Sequence, residues 1–154
     1  MKPHVRYLEG AMYGVIAGLV MAMVAMMATA ALGMGLWAMP AMIGALLLGP
    51  AAAMSPGAGV ILLGLMLHMM LSAMFGLVYA FVVNNVTRET LTTGIAFGIV
   101  LDLVNLHLIP IVLPTARILA GHEPAWLAAM THLIFGLVLG ALARRALTHV
   151  PKSA

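Results

Sequence analysis

The sequence predicts an all-α integral membrane protein: a bundle of four transmembrane helices with a short outer interfacial helix. Three observations carry that class. Of 154 residues, 64% are hydrophobic and 7% charged, and the mean hydropathy is +1.15, which leaves too little polar surface to coat a soluble globule. Four apolar stretches, residues 10–32, 59–83, 91–113 and 125–143, reach the roughly 20 residues that a spanning helix needs. Basic residues also sort by side. Lys2 and Arg6 precede the first stretch, Arg88 separates the second from the third, and Arg144, Arg145 and Lys152 follow the fourth, leaving only Arg117 on the opposite side. That bias places both termini in the cytoplasm and makes the chain one membrane domain over residues 1–154.

The first stretch imitates a signal peptide, with Lys2 and Arg6 ahead of it and the small residues Ala28 and Ala30 near its end. A signal core is about 7 to 15 residues, and this run continues through a full span, so it reads as an uncleaved anchor. Residues 37–56 follow, apolar but cut by Pro40, Pro50 and Pro56. Apolar pieces of about 10 to 14 residues are interfacial or re-entrant more often than spanning. A short helix over Ala41 to Leu48, with Trp37 at headgroup level, is expected there. The second, third and fourth stretches complete the bundle, and Pro110 predicts a kink in the third near His107, because its ring crowds the Leu106 carbonyl and removes a donor.

Small residues recur at intervals of four, the spacing that puts them on one helical face. The series are Gly10, Gly14, Gly18 and Ala22; Gly64, His68, Ser72, Gly76 and Ala80; Gly94, Gly98 and Asp102; and Ala128, His132, Gly136 and Gly140. Such stripes let helices approach closely in lipid. Helix one resembles helix three and helix two resembles helix four, so the chain reads as a duplicated two-helix hairpin, with His68 and His132 on the same rung.

Where the stripes carry an ionisable group, packing alone does not account for it. A charge at bilayer depth costs roughly 2.5 to 3.5 kcal/mol on insertion scales, so His68, Asp102, His107 and His132 are candidate site residues. Counting about 1.5 Å per residue from the outer ends puts His68 and Asp102 at one level, with His107 and His132 slightly above. The expectation is one buried site formed by His68, Asp102 and His132, with His107 at its outer edge.

Three chemistries suit those side chains. Imidazoles with a carboxylate match copper or zinc ligation, with Met66, Met69, Met70 and Met130 as soft candidates. His68 and His132 could be axial ligands of a b-type haem, and the same groups could relay protons. Structural hydrogen bonding between helices is the plain alternative. His4, His122 and His149 fall in loops or tails and read as solvated. No cysteine is present, which excludes thiolate metal sites and thiol nucleophiles. There is no HExxH, GxSxG, Walker or dinucleotide motif, so no enzyme is expected. The pI near 9.8 reports topology, since the basic residues form no nucleic-acid patch.

Three segments, LHMMLSAMFGLVYAFV, LVNLHLIPIVLP and THLIFGLVLGALARR, resemble the YagU-like small inner-membrane proteins of bacteria. The resemblance implies a multi-span protein of the bacterial inner membrane and carries over no catalytic residue. The sequence thus leads to a non-enzymatic bundle whose outward-facing His/Asp cluster binds a transition metal or relays protons. The alternatives are an accessory subunit of a respiratory electron-transfer complex, with or without haem, and a purely structural assembly subunit. Expected partners are the lipid bilayer and a homo-oligomer or larger membrane complex.

Overall fold

The computed structural model describes residues 4–148. Lys2 and Lys152, two of the residues behind the charge asymmetry, lie outside that range, as does His149. Four helices are long and apolar enough to cross a membrane: Tyr7–Ala31, Ala58–Asn85, Thr90–Val112 and Ala125–Thr148. These are the four predicted spans, and their large apolar side chains, Met23, Met27, Met66, Met70 and Phe81 among them, are exposed on the bundle surface. In a soluble protein such a surface would aggregate, whereas lipid tails solvate it. The exposed surface is therefore the lipid-contacting face.

In chain order the helices are α1 (Tyr7–Ala31), α2 (Ala38–Leu48), α3 (Ala51–Met54), α4 (Ala58–Asn85), α5 (Thr90–Leu103), α6 (Ile109–Val112), α7 (Pro114–Ala120) and α8 (Ala125–Thr148). The expected interfacial helix is α2, which begins three residues earlier than predicted. It does not simply rest on the surface: Pro40, Ala41, Gly44 and Ala45 are buried, and Gly44 meets Gly64 of α4 backbone to backbone.

α1 packs against α4 and α8, and α5 packs mainly against α8. The reason is visible in the small-residue stripes. A Cβ added at Gly14 would collide with the Ser72 carbonyl oxygen, and one at Gly76 with the Gly10 carbonyl oxygen. The α5–α8 seam repeats this arrangement, with Gly98 bedded on the His132 carbonyl and Gly136 on that of Gly94. Backbones this close gain dispersion contacts that larger side chains would forbid.

The two seams fix a register that sequence spacing alone misplaces. Gly14 and Gly98 are counterparts, facing Ser72 and His132 respectively, while Gly76 and Gly136 face Gly10 and Gly94. His132 is therefore the counterpart of Ser72. His68 lies one helical turn further from the seam centre, so the two histidines do not share a rung.

At the end where both termini lie, the Val5 amide donates to the Asn84 side-chain oxygen at 2.9 Å, and Asn84 Nδ2 donates back to the Val5 carbonyl at 2.8 Å. Tyr79 of α4 donates its hydroxyl to the carbonyl of Thr90, the first residue of α5. Phe75 and Tyr79 also meet Phe97 edge to face, with centroids 6.5 and 5.4 Å apart, a favoured aromatic geometry. These contacts close the bundle between α4 and α5, over a core containing Ala17, Val83, Leu101, Phe135 and Leu139.

The third span is not broken at Pro110. It passes instead through a π-helical turn, Val104–Leu108, in which the Ile109 amide donates to the Val104 carbonyl. The wider turn lies immediately before Pro110, and π-turns of this kind recur at functional positions.

The seams give a direct prediction. Gly64→Ala should lower the melting temperature clearly, with an overpacking cost of about 1–3 kcal/mol, because its Cβ would strike the Pro40 carbonyl oxygen. Gly59→Ala, which meets nothing within 4 Å, should be neutral or mildly stabilising through helix propensity. Thermal melts in detergent compare the two.

Candidate functional site

Of the four candidate residues, the structure brings two into contact. Asp102 projects from α5 one turn beyond Gly98, and His132 projects from α8 one turn before Gly136. Because those glycines hold the backbones together, the side chains meet, with His132 Nδ1 3.3 Å from Asp102 Oδ1 and side-chain exposures of 15% and 18%. Of the single site expected from His68, Asp102 and His132, Asp102 and His132 meet, while His68, set at the level of Asp102 by depth, does not join them. The cause is the one-turn register offset between the two hairpins.

Nδ1 of His132 also lies 2.8 Å from the Ala128 carbonyl oxygen. A carbonyl oxygen only accepts, so Nδ1 carries the hydrogen in that contact. The bond to Ala128 takes the donor, and Asp102 Oδ1 is left buried without a hydrogen bond. The 3.3 Å approach is therefore a close electrostatic contact between groups that are not aligned for donation. One N–H stands between two acceptors, a backbone carbonyl and a carboxylate.

His68 is committed elsewhere. Its Nε2 lies 3.0 Å from the Gly18 carbonyl oxygen, where it is the donor and ties α4 to α1. Gly18 is the counterpart of Asp102, so each half of the molecule presents a histidine to the same position of its partner helix. In one half the acceptor is backbone; in the other a carboxylate stands alongside. His107, in the π-turn, is exposed and forms no metal-holding group of three with Asp102 and His132.

These placements bear on the ligand chemistries. Among the described residues, no three His, Asp or Glu side chains gather closely enough to hold a metal ion; the set His68, Asp102, His107 and His132 is spread over separate positions. The cavity that reaches His68 holds about 40 Å³ and is lined by apolar residues such as Met21, Met26 and Leu65. A cofactor pocket occupies roughly 300–1,000 Å³, so His68 has no haem-sized space beside it.

Sequence reasoning passed over Glu123. It stands in the short connection between α7 and α8, next to Pro124, and its Oε1 is buried without a hydrogen-bond partner. Burial, and secondarily the charge of Asp102, push its carboxyl up to about 7. The signal available was slight: an acidic residue beside a proline at the mouth of a span. That it senses Asp102 depends on the fold. Glu123 Oε1 and Asp102 Oδ1 are the two buried side-chain polar atoms without a hydrogen bond among the described residues.

Compared with known protein families, curated proteins and solved structures, the chain matches none.

The raised Glu123 carboxyl has a defined consequence for stability. The folded state holds the proton more tightly than the unfolded chain, so Glu123 favours the fold fully at low pH. That contribution is lost as pH rises from the ordinary carboxylate value of 4.5 through about 7. Glu123→Gln should remove this component, so that the variant gains stability over the parent at pH 8 and loses the advantage near pH 4.5. Thermal melts at both pH values check it.

Proposed function

We propose that this protein is a non-enzymatic, multi-span membrane bundle whose Asp102–His132 pair takes up and releases protons at the end opposite the termini. The observation that carries the reading is the contact itself. A buried carboxylate oxygen without a hydrogen bond lies 3.3 Å from an imidazole nitrogen that now donates to Ala128. A modest turn of the imidazole would redirect the N–H from the carbonyl to Asp102. A protonated Asp102 would need no such donor. The pair therefore has two arrangements that differ by a proton, which is the requirement for a proton-exchanging group.

Glu123 supports the same reading. It is a carboxyl that titrates near neutrality at the mouth of the fourth span, matched to exchange protons with water at physiological pH. Towards the termini the α8 face continues as Phe135, Gly136, Leu139 and Gly140, all buried and apolar, so exchange is one-sided, through the Glu123 loop. The metal alternative lacks a third ligand, and the proton reading needs none.

The remaining assignments belong to the same proposal. Arg6, Arg88, Arg144 and Arg145 share the end where the termini lie, and Arg117 occupies the other. By the positive-inside rule the terminal end is cytoplasmic and the Asp102–His132 pair faces outward. The likeness to YagU-like proteins supports reading that membrane as a bacterial inner membrane.

Infrared difference spectra of the protein in lipid, taken between pH 5.5 and 8.5, test the assignment. A protonated-carboxyl band should appear at low pH and lose one component in Asp102→Asn. His132→Ala should shift that component, because the imidazole is its nearest polar neighbour. A spectrum unchanged by Asp102→Asn would refute the proposal.

A further inference from the structure

Away from the Asp102–His132 pair, the end of the molecule opposite the termini carries a second concentration of ligand atoms. The connection after α1, the helices α2 and α3, and the turn before α8 frame an open pocket of about 370 Å³. Met34, Met42 and Met54 line it, together with Trp37 and His122. The three thioethers come from three separate segments: the α1–α2 connection, α2 and α3. The imidazole comes from a fourth, more than 60 positions along the chain from any of them. Met34 and Met42 are half-buried at this pocket and Met54 is exposed at its rim, whereas Met23, Met27, Met66 and Met70 are exposed along the long apolar helices, where methionine is flexible lipid-facing filler.

His122 is oriented in the manner of a metal ligand. Its Nδ1 lies 3.1 Å from the Ile118 carbonyl oxygen, so Nδ1 carries the hydrogen and Nε2 keeps its lone pair. Metal-binding histidines are commonly fixed through such a bond from the second ring nitrogen to a backbone carbonyl. No carboxylate lines the pocket and the chain has no cysteine. The available donors are thioether sulfur and one neutral imidazole, a soft set that favours Cu(I) over Zn(II), Mg(II) or Ca(II).

We propose that this pocket binds a single Cu(I) ion through His122 and the thioethers of Met34, Met42 and Met54. The flexible methionine side chains supply adaptable ligands around one fixed imidazole, and Trp37 gives the pocket an apolar wall. The site shares no residue with the proton-exchanging pair.

Anaerobic titration of the full chain in nanodiscs with Cu(I), in competition with a chromogenic Cu(I) chelator, should show one ion per chain. His122→Ala and the triple replacement M34L/M42L/M54L should each weaken binding about tenfold or more, as loss of a ligand requires. Methionine to leucine conserves volume, and unchanged helical circular dichroism would establish that these variants fold. The lipid-facing double replacement M66L/M70L and the Asp102→Asn variant should bind Cu(I) as the parent does. The latter separates this site from the proton-exchange reading, since either can fail alone. Absence of stoichiometric Cu(I) binding, or parental affinity in both folded pocket variants, would overturn the proposal.

Discussion

Close backbone approach at the glycine seams is the constraint on which the rest of the molecule depends. In lipid, helices gain little by burying apolar surface, because the solvent is as apolar as their side chains. What remains is dispersion, and it is largest where nothing larger than hydrogen separates two backbones. Gly14 against Ser72 and Gly76, Gly136 against Gly94, and Gly44 against Gly64 provide three such places. The first sets α1 on α4, the second α8 on α5, and the third pins the short α2 to the far half of α4. The four long helices and α2 are each held by one of them.

The polar chemistry follows from the register these seams impose. One turn beyond the α5–α8 seam, the stripe position that is Gly18 in the first hairpin is Asp102 in the second, and Ser72 is answered by His132. Two substitutions in an otherwise repeated pattern thus place a carboxylate beside an imidazole, 3.3 Å apart, while the first hairpin keeps a histidine bonded to backbone at the matching position. The halves share an architecture and differ in charge. A buried ionisable pair of this kind contributes little to net stability, because desolvation offsets most of the attraction. Under the function proposed above, chemistry that uses the proton accounts for its presence.

The sequence made the spans and the stripes legible for a physical reason. Twenty apolar residues and a period of four are local properties, written along one helix at a time. The offset between two helices is not local, so nothing in the spacing of His68 and His132 said that one would align with Gly18 and the other with Asp102. The π-turn at Val104–Leu108 was anticipated only as a kink, since Pro110 announces a lost donor without saying how the backbone will recover it. Glu123 was invisible for a third reason. Its burial and its sensitivity to Asp102 arise from the folded connection between α7 and α8, and in sequence it is simply an acidic loop residue. His107 shows the converse, a polar residue inside an apolar run that the π-turn leaves exposed.

The central claim is that glycine-seam packing brings Asp102 and His132 into direct contact within the membrane. Dipolar recoupling by solid-state NMR measures that contact without relying on function. The protein in lipid bilayers would carry ¹³C in aspartate side-chain carboxyls and ¹⁵N in histidine rings. Asp102 is the sole aspartate, so the carboxyl signal is unambiguous. A strong coupling to one imidazole nitrogen that disappears in His132→Ala and persists in His68→Ala is the predicted result. No coupling in the parent, or a coupling that survives His132→Ala and is lost in His68→Ala, would contradict the register on which the account rests.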